Sequence, residues 1–316
     1  MPLNRRRALL ASLSGALMST SANAQPVKLR LGTATPGGGF PVYGEAFIKA
    51  VQSVDPAIAI EPVNTKGSTE NVPMLEAGTL DIALVQGEVI HESMSGAGGR
   101  PPANVKVLWA MYSGAGMFVV RVASPYRTIA DLKGKPIAWG AAGSGLTILG
   151  RYVMDGLGLD AAKDFQPIYL EKAGDGPAMV LDGRVAALWG GGTEWPGFKA
   201  VTGAPGGGRF IAPDAAEIER IVAKHKFLKK LSTDTKAYTG QGAVIASVGS
   251  WSFVMARPGL NETVAHRLAQ ALHKAEPAKL PHMPDSTAAN TVAGVVSPDV
   301  IHPGVQRYLK EAGIAK

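Results

Sequence analysis

Apolar and polar positions alternate in VKLRLGT (27–33) and AIAIEPVN (57–64), while LDIALVQ (80–86) is apolar over most of its length; each reads as a strand. Helical spacing between them predicts helices over 41–54 and 69–77, the second closed by Gly78. A β-α-β-α-β order with right-handed crossovers implies a mostly parallel, doubly wound sheet, which VKVLWAMY (105–112) extends. The pattern restarts at MFVVRVAS (117–124). Strand KPIAWG, a helix over 145–155, strand PIYLE, a helix over 176–181, strand VAALWG and a helix near 214–225 follow. SVGSWSFVMAR (247–257) reads as a further strand, and NETVAHRLAQALHKA (261–275) as an amphipathic helix with Asn261 as its N-cap.

The fold class expected from this order is α/β, with two doubly wound lobes joined by a hinge of two crossings. The last ~65 residues hold too little sheet for a domain of their own and are expected to return to the first lobe. Residues 25–114 and 247–316 then form lobe 1, and 115–246 lobe 2. Crossings near 112–117 and 243–249 make a clam hinged around a central cleft.

Composition narrows the class. At 316 residues and 46% hydrophobic the chain can bury a large core. Residues 1–24 join a basic head (Arg5, Arg6, Arg7) to an apolar run and a small-residue site at Ala22-Asn23-Ala24, the pattern of an export signal cleaved after Ala24. The paired arginines leave both the general secretory and the twin-arginine route open. Removing the segment leaves 29 basic against 25 acidic side chains, so the formal +7 falls to +4. KHKFLKK (224–230) reads as a solvated helix end, and no basic cluster interleaved with aromatics points to nucleic acid. There is no cysteine, so disulfides play no part. No cofactor is expected, and the protein is expected to act as a monomer.

Candidate chemistry sits in three glycine-bearing loops that lead into helix starts: 33–40 with its Gly37-Gly38-Gly39 run, 65–71, and 140–145. Ligands of open α/β sheets lie beyond the carboxyl ends of strands, where glycine admits close backbone approach and orphan helix amides favour an anion. A glycine run alone is a turn signal and Ser68 alone an N-cap; the repetition in both lobes suggests that closing the clam brings two such starts to one carboxylate. GGG is not GxGxxG, no P-loop GKS or GKT occurs, and GxSxG is absent. His91, His225, His266, His273, His282 and His302 form no HxxxH pair and read mostly as surface residues. No catalytic or metal residues are assigned, and an exported hydrolase is the weaker alternative.

The motifs GTATPGGGFPVYG (32–44), TKGSTENV (65–72), GTLDIALVQGE (78–88), DLKGKPIAWGAAGSGL (131–146), AYTGQ (237–241) and IHPGVQRYLKEAG (301–313) together resemble the TAXI family, the extracytoplasmic solute receptors of TRAP transporters. The resemblance runs in order over the whole mature chain. It implies a type II periplasmic binding protein fold, no enzymatic activity, and delivery of a small organic solute such as an amino acid or dicarboxylic acid to a membrane permease. A receptor for an ABC transporter or a sensor kinase is the alternative, since one clam serves them all. By the same resemblance Gly38, Gly39, Phe40, Ser68, Asn71, Gln86, Ser144 and Gly145 face the ligand.

Pro41, Gly87 and Leu146 stand where the family pattern has hydroxyl side chains, which suggests a more apolar pocket. Tyr43, Trp139 and Trp195 lie in or beside the cleft loops and offer a slot for an aromatic or aliphatic acid, with core or surface positions as the alternative for the tryptophans. Lys66 replaces a family glycine immediately before a helix start. A cation there is disfavoured by the helix dipole, which suggests that it pairs with a ligand carboxylate, with a solvated loop lysine as the alternative. Glu194 either meets a cation on the ligand or caps the following helix.

Overall fold

The computed structural model describes residues 26–97, 101–192 and 194–315; the export signal expected over 1–24 lies outside them. One half is built on β1 (Val27–Gly32), β2 (Ile58–Val63) and β3 (Ile82–Val85), with β1 parallel to both neighbours. Helices α1 (Gly39–Val54), α2 (Ser68–Glu76) and α3 (Gly87–Ser95) follow these strands in turn. The other half has β5 (Pro136–Ala141) parallel to β6 (Gln166–Leu170) and β7 (Ala187–Gly191), with α4 (Gly145–Gly156), α5 (Gly176–Leu181) and α6 (Pro196–Gly203). Then come β8 (Gly208–Ile211), α7 (Ala215–Lys224) and β9 (Lys229–Asp234).

Two long antiparallel strands, β4 (Lys106–Arg121) and β10 (Val244–Ala256), join the halves in the order β2-β1-β3-β10-β4-β7-β5-β6, with β8 on β4 and β9 on β10. The expected crossings at 112–117 and 243–249 are therefore continuous strand. Residues 105–112 and 117–124, read as separate strands, merge into β4, whose first part pairs with β10 and whose last part pairs with β7 and β8. Register shifts between Trp251 and Phe253 and between Val254 and Met255 bend β10 where it runs beside the cleft. Lys229 and Lys230, expected on a solvated helix end, lie instead on the edge strand β9, where charged side chains suit an open sheet edge.

Each half is covered on both faces. Leu29, Leu31, Tyr43 and Phe47 share a core with Leu268 and Leu272 of α8 (Glu262–Lys274) and with Val305 and Leu309 of α10 (Pro303–Glu311); between the two helices lies the short α9 (Ala288–Gly294). The C-terminal helices thus return to the first half because the apolar stripe of α1 needs a cover. Val72, Leu75, Leu80 and Val89 close its opposite face. In the second half Phe118, Trp139 and Trp189 pack with Leu149, Val153 and Ile221 on one side, and Met117, Leu188, Phe198 and Val201 on the other. His302 departs from the surface expectation: it is buried at the start of α10, its Nδ1 accepting from the Gly304 amide at 3.2 Å and its Nε2 donating to the Leu260 carbonyl at 3.0 Å. Burial lowers its pKa, which fits that neutral tautomer.

Candidate functional site

The starts of α1, α2, α3, α4 and α6 converge on one cavity between the halves. Their N-caps are Gly38, Gly67, Gln86, Ser144 and Trp195, all of which line it. Convergence follows from the winding: each strand ends at the same rim of its half, and the two rims face each other across β4 and β10. The cavity measures about 50 Å³ and is also lined by Phe40, Lys66, Tyr112, Leu146 and Ser252.

The halves meet around it. The Thr69 hydroxyl and amide both donate to the Gly143 carbonyl, at 3.0 and 3.2 Å. The Ala173 amide donates to Thr35 Oγ1 at 3.2 Å, and the Gly174 amide to the Pro36 carbonyl at 3.3 Å. Farther out, Glu92 of α3 receives the Tyr152 hydroxyl at 2.9 Å and pairs with Arg151, both from α4. The glycines of the loops make this approach possible. Gly67, at φ 116°, occupies backbone that side chains rarely adopt, and a Cβ on Gly143 would stand 2.6 Å from both the Cβ and the carbonyl oxygen of Lys66.

Several uncovered donors belong to the lining residues. The amides of Gly39, Phe40 and Ser68 have no hydrogen-bond partner among the described residues. Ser68 Oγ accepts from the Gln86 amide at 3.1 Å and Ser144 Oγ from the Leu146 amide at 3.2 Å, which leaves both hydroxyl protons free to point inward. Burial holds the Tyr112 phenol well above its ordinary pKa, so it stays a neutral donor. Lys66 is the single charged side chain among the described lining residues. Directly behind the wall Glu88 is wholly buried; one oxygen accepts from Ser250 Oγ at 2.7 Å, the other has no partner, and burial raises its pKa to about 7.

Of the residues singled out from the sequence, Gly38, Gly39, Phe40, Lys66, Ser68, Gln86, Ser144 and Trp195 line the cavity, and Asn71, Gly145, Tyr43 and Trp139 do not. Asn71 is buried, its Nδ2 donating to the carbonyls of Thr33 at 2.9 Å and Leu84 at 2.8 Å, so it ties the ends of β1 and β3 together. Gly145 is packed under Gln86, with room for no side chain: a Cβ there would be 2.5 Å from that of Gln86. Tyr43 points into the core, bonding Ser286 Oγ at 2.7 Å and packing edge-on against Tyr112 at 5.8 Å between ring centres. Trp139 is likewise core, set against Phe118, Phe165 and Trp189. Of the three departures from the family pattern only Leu146 lines the cavity; Gly87 is needed where a Cβ would come within 2.3 Å of Ser250 Oγ. The Glu194 side chain caps nothing; it pairs with Lys199 at 3.5 Å and has the His282 ring nitrogen at the same distance.

Sequence reasoning missed Tyr112 and Ser252 as lining residues. In the sequence Tyr112 reads as a strand end at a crossing between the lobes, not as a lining residue. Ser250 and Ser252 sit at alternate positions of β10, a spacing that puts two hydroxyls on one face of a strand otherwise rich in apolar residues, and this was the available signal. No described helix is long and apolar enough to cross a membrane, and no three His, Asp or Glu among the described residues are grouped to hold a metal ion.

Several solved structures share this architecture. The alkanesulfonate-binding protein SsuA from Xanthomonas axonopodis pv. citri, bound to MOPS, is 20% identical over 91% of this chain and 84% of its own, with a TM-score of 0.50. A structure described as a periplasmic transporter matches at 14% identity over 92% of this chain and 94% of its own, with a TM-score of 0.52. A protein from Bordetella bronchiseptica RB50 reaches a TM-score of 0.54 at 14% identity, covering 92% and 82%. At these identities the likeness establishes the fold, that of the periplasmic binding proteins. The family model for the NMT1-like family matches residues 31–313, nearly the whole described chain, and the protein belongs to that family.

Proposed function

We propose that this protein is an extracytoplasmic solute receptor that binds a small organic acid between its two lobes and hands it to a TRAP-type membrane permease. The observation that carries the reading is the donor-rich cavity between the halves, where the amides of Gly39, Phe40 and Ser68 have no partner among the described residues and Lys66 is the single described charge. The lobes are residues 25–114 with 247–316, and 115–246; β4 and β10 act as the hinge. Contacts such as Thr69 to Gly143 form only when the lobes meet, so a solute touching both favours the closed state by its differential contacts. The TRAP partner is supported by the six motifs shared in order with the TAXI pattern, and periplasmic location by residues 1–24, with cleavage after Ala24.

The test is a thermal-shift and calorimetric screen of amino acids, dicarboxylates and other organic acids, after co-purified solute has been stripped by unfolding and refolding. A receptor releases its solute chemically unchanged on denaturation; turnover would mean an enzyme. Uptake in vesicles bearing the cognate fused permease, dependent on this protein, supports the TRAP assignment. Dependence on an ATPase would assign it to an ABC transporter, the second reading.

A further inference from the structure

Charge and volume together restrict what the cavity can hold. An α-amino acid brings an ammonium group, and burying it without a carboxylate opposite is costly. Among the described lining residues there is no Asp or Glu. Glu88 and Glu194 do not line it: Glu88 lies behind the wall, one oxygen accepting from Ser250 Oγ at 2.7 Å and the other without a partner, and Glu194 lines the adjoining pocket, where it pairs with Lys199. A dicarboxylate brings a second negative charge, for which the described lining offers Lys66 and no other cation.

The remaining wall is apolar or an uncharged donor. Phe40, Leu146, Ala34, Ala141 and Ala173 supply the apolar part. Ser252, 2% exposed, and the indole N–H of Trp195, 4% exposed, line the cavity with no hydrogen-bond partner among the described residues. The Tyr112 hydroxyl lies on the same wall, 3.3 Å from where a Cβ on Gly39 would stand. Size is decisive for the tail. A cavity that admits benzene measures about 150 Å³, and this one measures about 50 Å³. A six-membered ring does not fit beside a carboxylate.

We infer that the solute is a short aliphatic monocarboxylate of about two to four carbons that carries no ammonium group. Its carboxylate takes the amides of Gly39, Phe40 and Ser68 with Lys66 alongside. An uncharged oxygen at its second carbon, as in a 2-hydroxy or 2-oxo acid, takes the donors of Tyr112, Trp195 and Ser252. This inference rests on the solute-receptor reading and narrows it.

The experiment is calorimetry on refolded, ligand-free protein, its refolding verified by circular dichroism, with propionate, lactate and pyruvate set against alanine, succinate and phenylacetate. Lactate and alanine have nearly the same shape and differ in hydroxyl against ammonium. At least one of the first three is expected to bind about a hundredfold more tightly than each of the second three. Alanine, succinate or phenylacetate binding as tightly as the best of the short acids overturns the inference and leaves the receptor reading standing. Silence from all six, with an uncharged or cationic compound recovered from the unrefolded protein, overturns both.

Discussion

The carbonyl oxygen of Gly143, before α4, accepts both the hydroxyl and the amide of Thr69, in the first turn of α2, at 3.0 and 3.2 Å. Two residues 74 apart in sequence thereby bring the starts of two helices from opposite halves of the sheet to the same cavity wall. The contact requires that Gly143 have no side chain, because the neighbouring atoms are Lys66 Cβ and backbone, which do not yield easily.

Substituting Gly143→Ala therefore tests closure apart from folding. The backbone at Gly143 lies outside the left-handed region, so alanine is tolerated locally and the stability of the open, ligand-free protein is unchanged or rises by up to about 1 kcal/mol. Closure meets an overlap costing about 1 to 3 kcal/mol, so the ligand dissociation constant rises roughly 5- to 150-fold. Calorimetry with a binding acid and a ligand-free melting curve check the two halves of this expectation.

Lys66→Ala is expected to weaken binding of the acid by about 1 kcal/mol, roughly fivefold, at low ionic strength. Its side chain is exposed on the cleft rim, so added salt screens the interaction and the difference between variant and parent shrinks. Equal affinities at low salt would remove Lys66 from the site.

Asn71→Ala is expected to act on stability, since the side chain serves two carbonyls at the ends of neighbouring strands and does not line the cavity. Losing two buried hydrogen bonds and leaving a small void costs about 2 to 4 kcal/mol. Chemical denaturation reads the loss directly. The fraction that remains folded binds the acid with nearly parental affinity; a large affinity loss at unchanged stability would return Asn71 to the ligand's side.

Glu88 makes stability depend on pH. Burial raises its pKa in the folded protein to about 7, above the ordinary 4.5 that it regains on unfolding. Between those values the folded state holds the proton more tightly, so stability falls as pH rises through this window and stays low above it. The full effect is on the order of 3 kcal/mol. Glu88→Gln removes the charge, keeps an acceptor for Ser250, and is expected to melt higher than the parent at pH 8 and about equally at pH 5. Parallel pH profiles for the two proteins would show that Glu88 does not titrate in this range.

Much of the architecture was legible along the chain. The alternation in VKLRLGT and AIAIEPVN became β1 and β2, and Asn261 does cap α8, its side chain accepting from the amides of Thr263 and Val264. β9 and the continuity of β4 were not legible. A lysine-rich edge strand carries no apolar face to betray it, and Ser113 to Gly116 break the apolar run of a strand that continues because β10 pairs with it there.

The sequence by itself determined the winding order, the three glycine loops and the residue types that gather at the ends of strands, since these follow from local spacing and backbone permission. Tertiary structure decided which members of those loops face inward. Gly39 and Phe40 present free amides, while Gly145 disappears under Gln86 and Asn71 turns to fasten two strands. Local pattern sets where a helix begins. Which of its first groups stays uncovered depends on what the opposite half of the sheet and the neighbouring strand bring against it, and those partners come from positions far away in the chain.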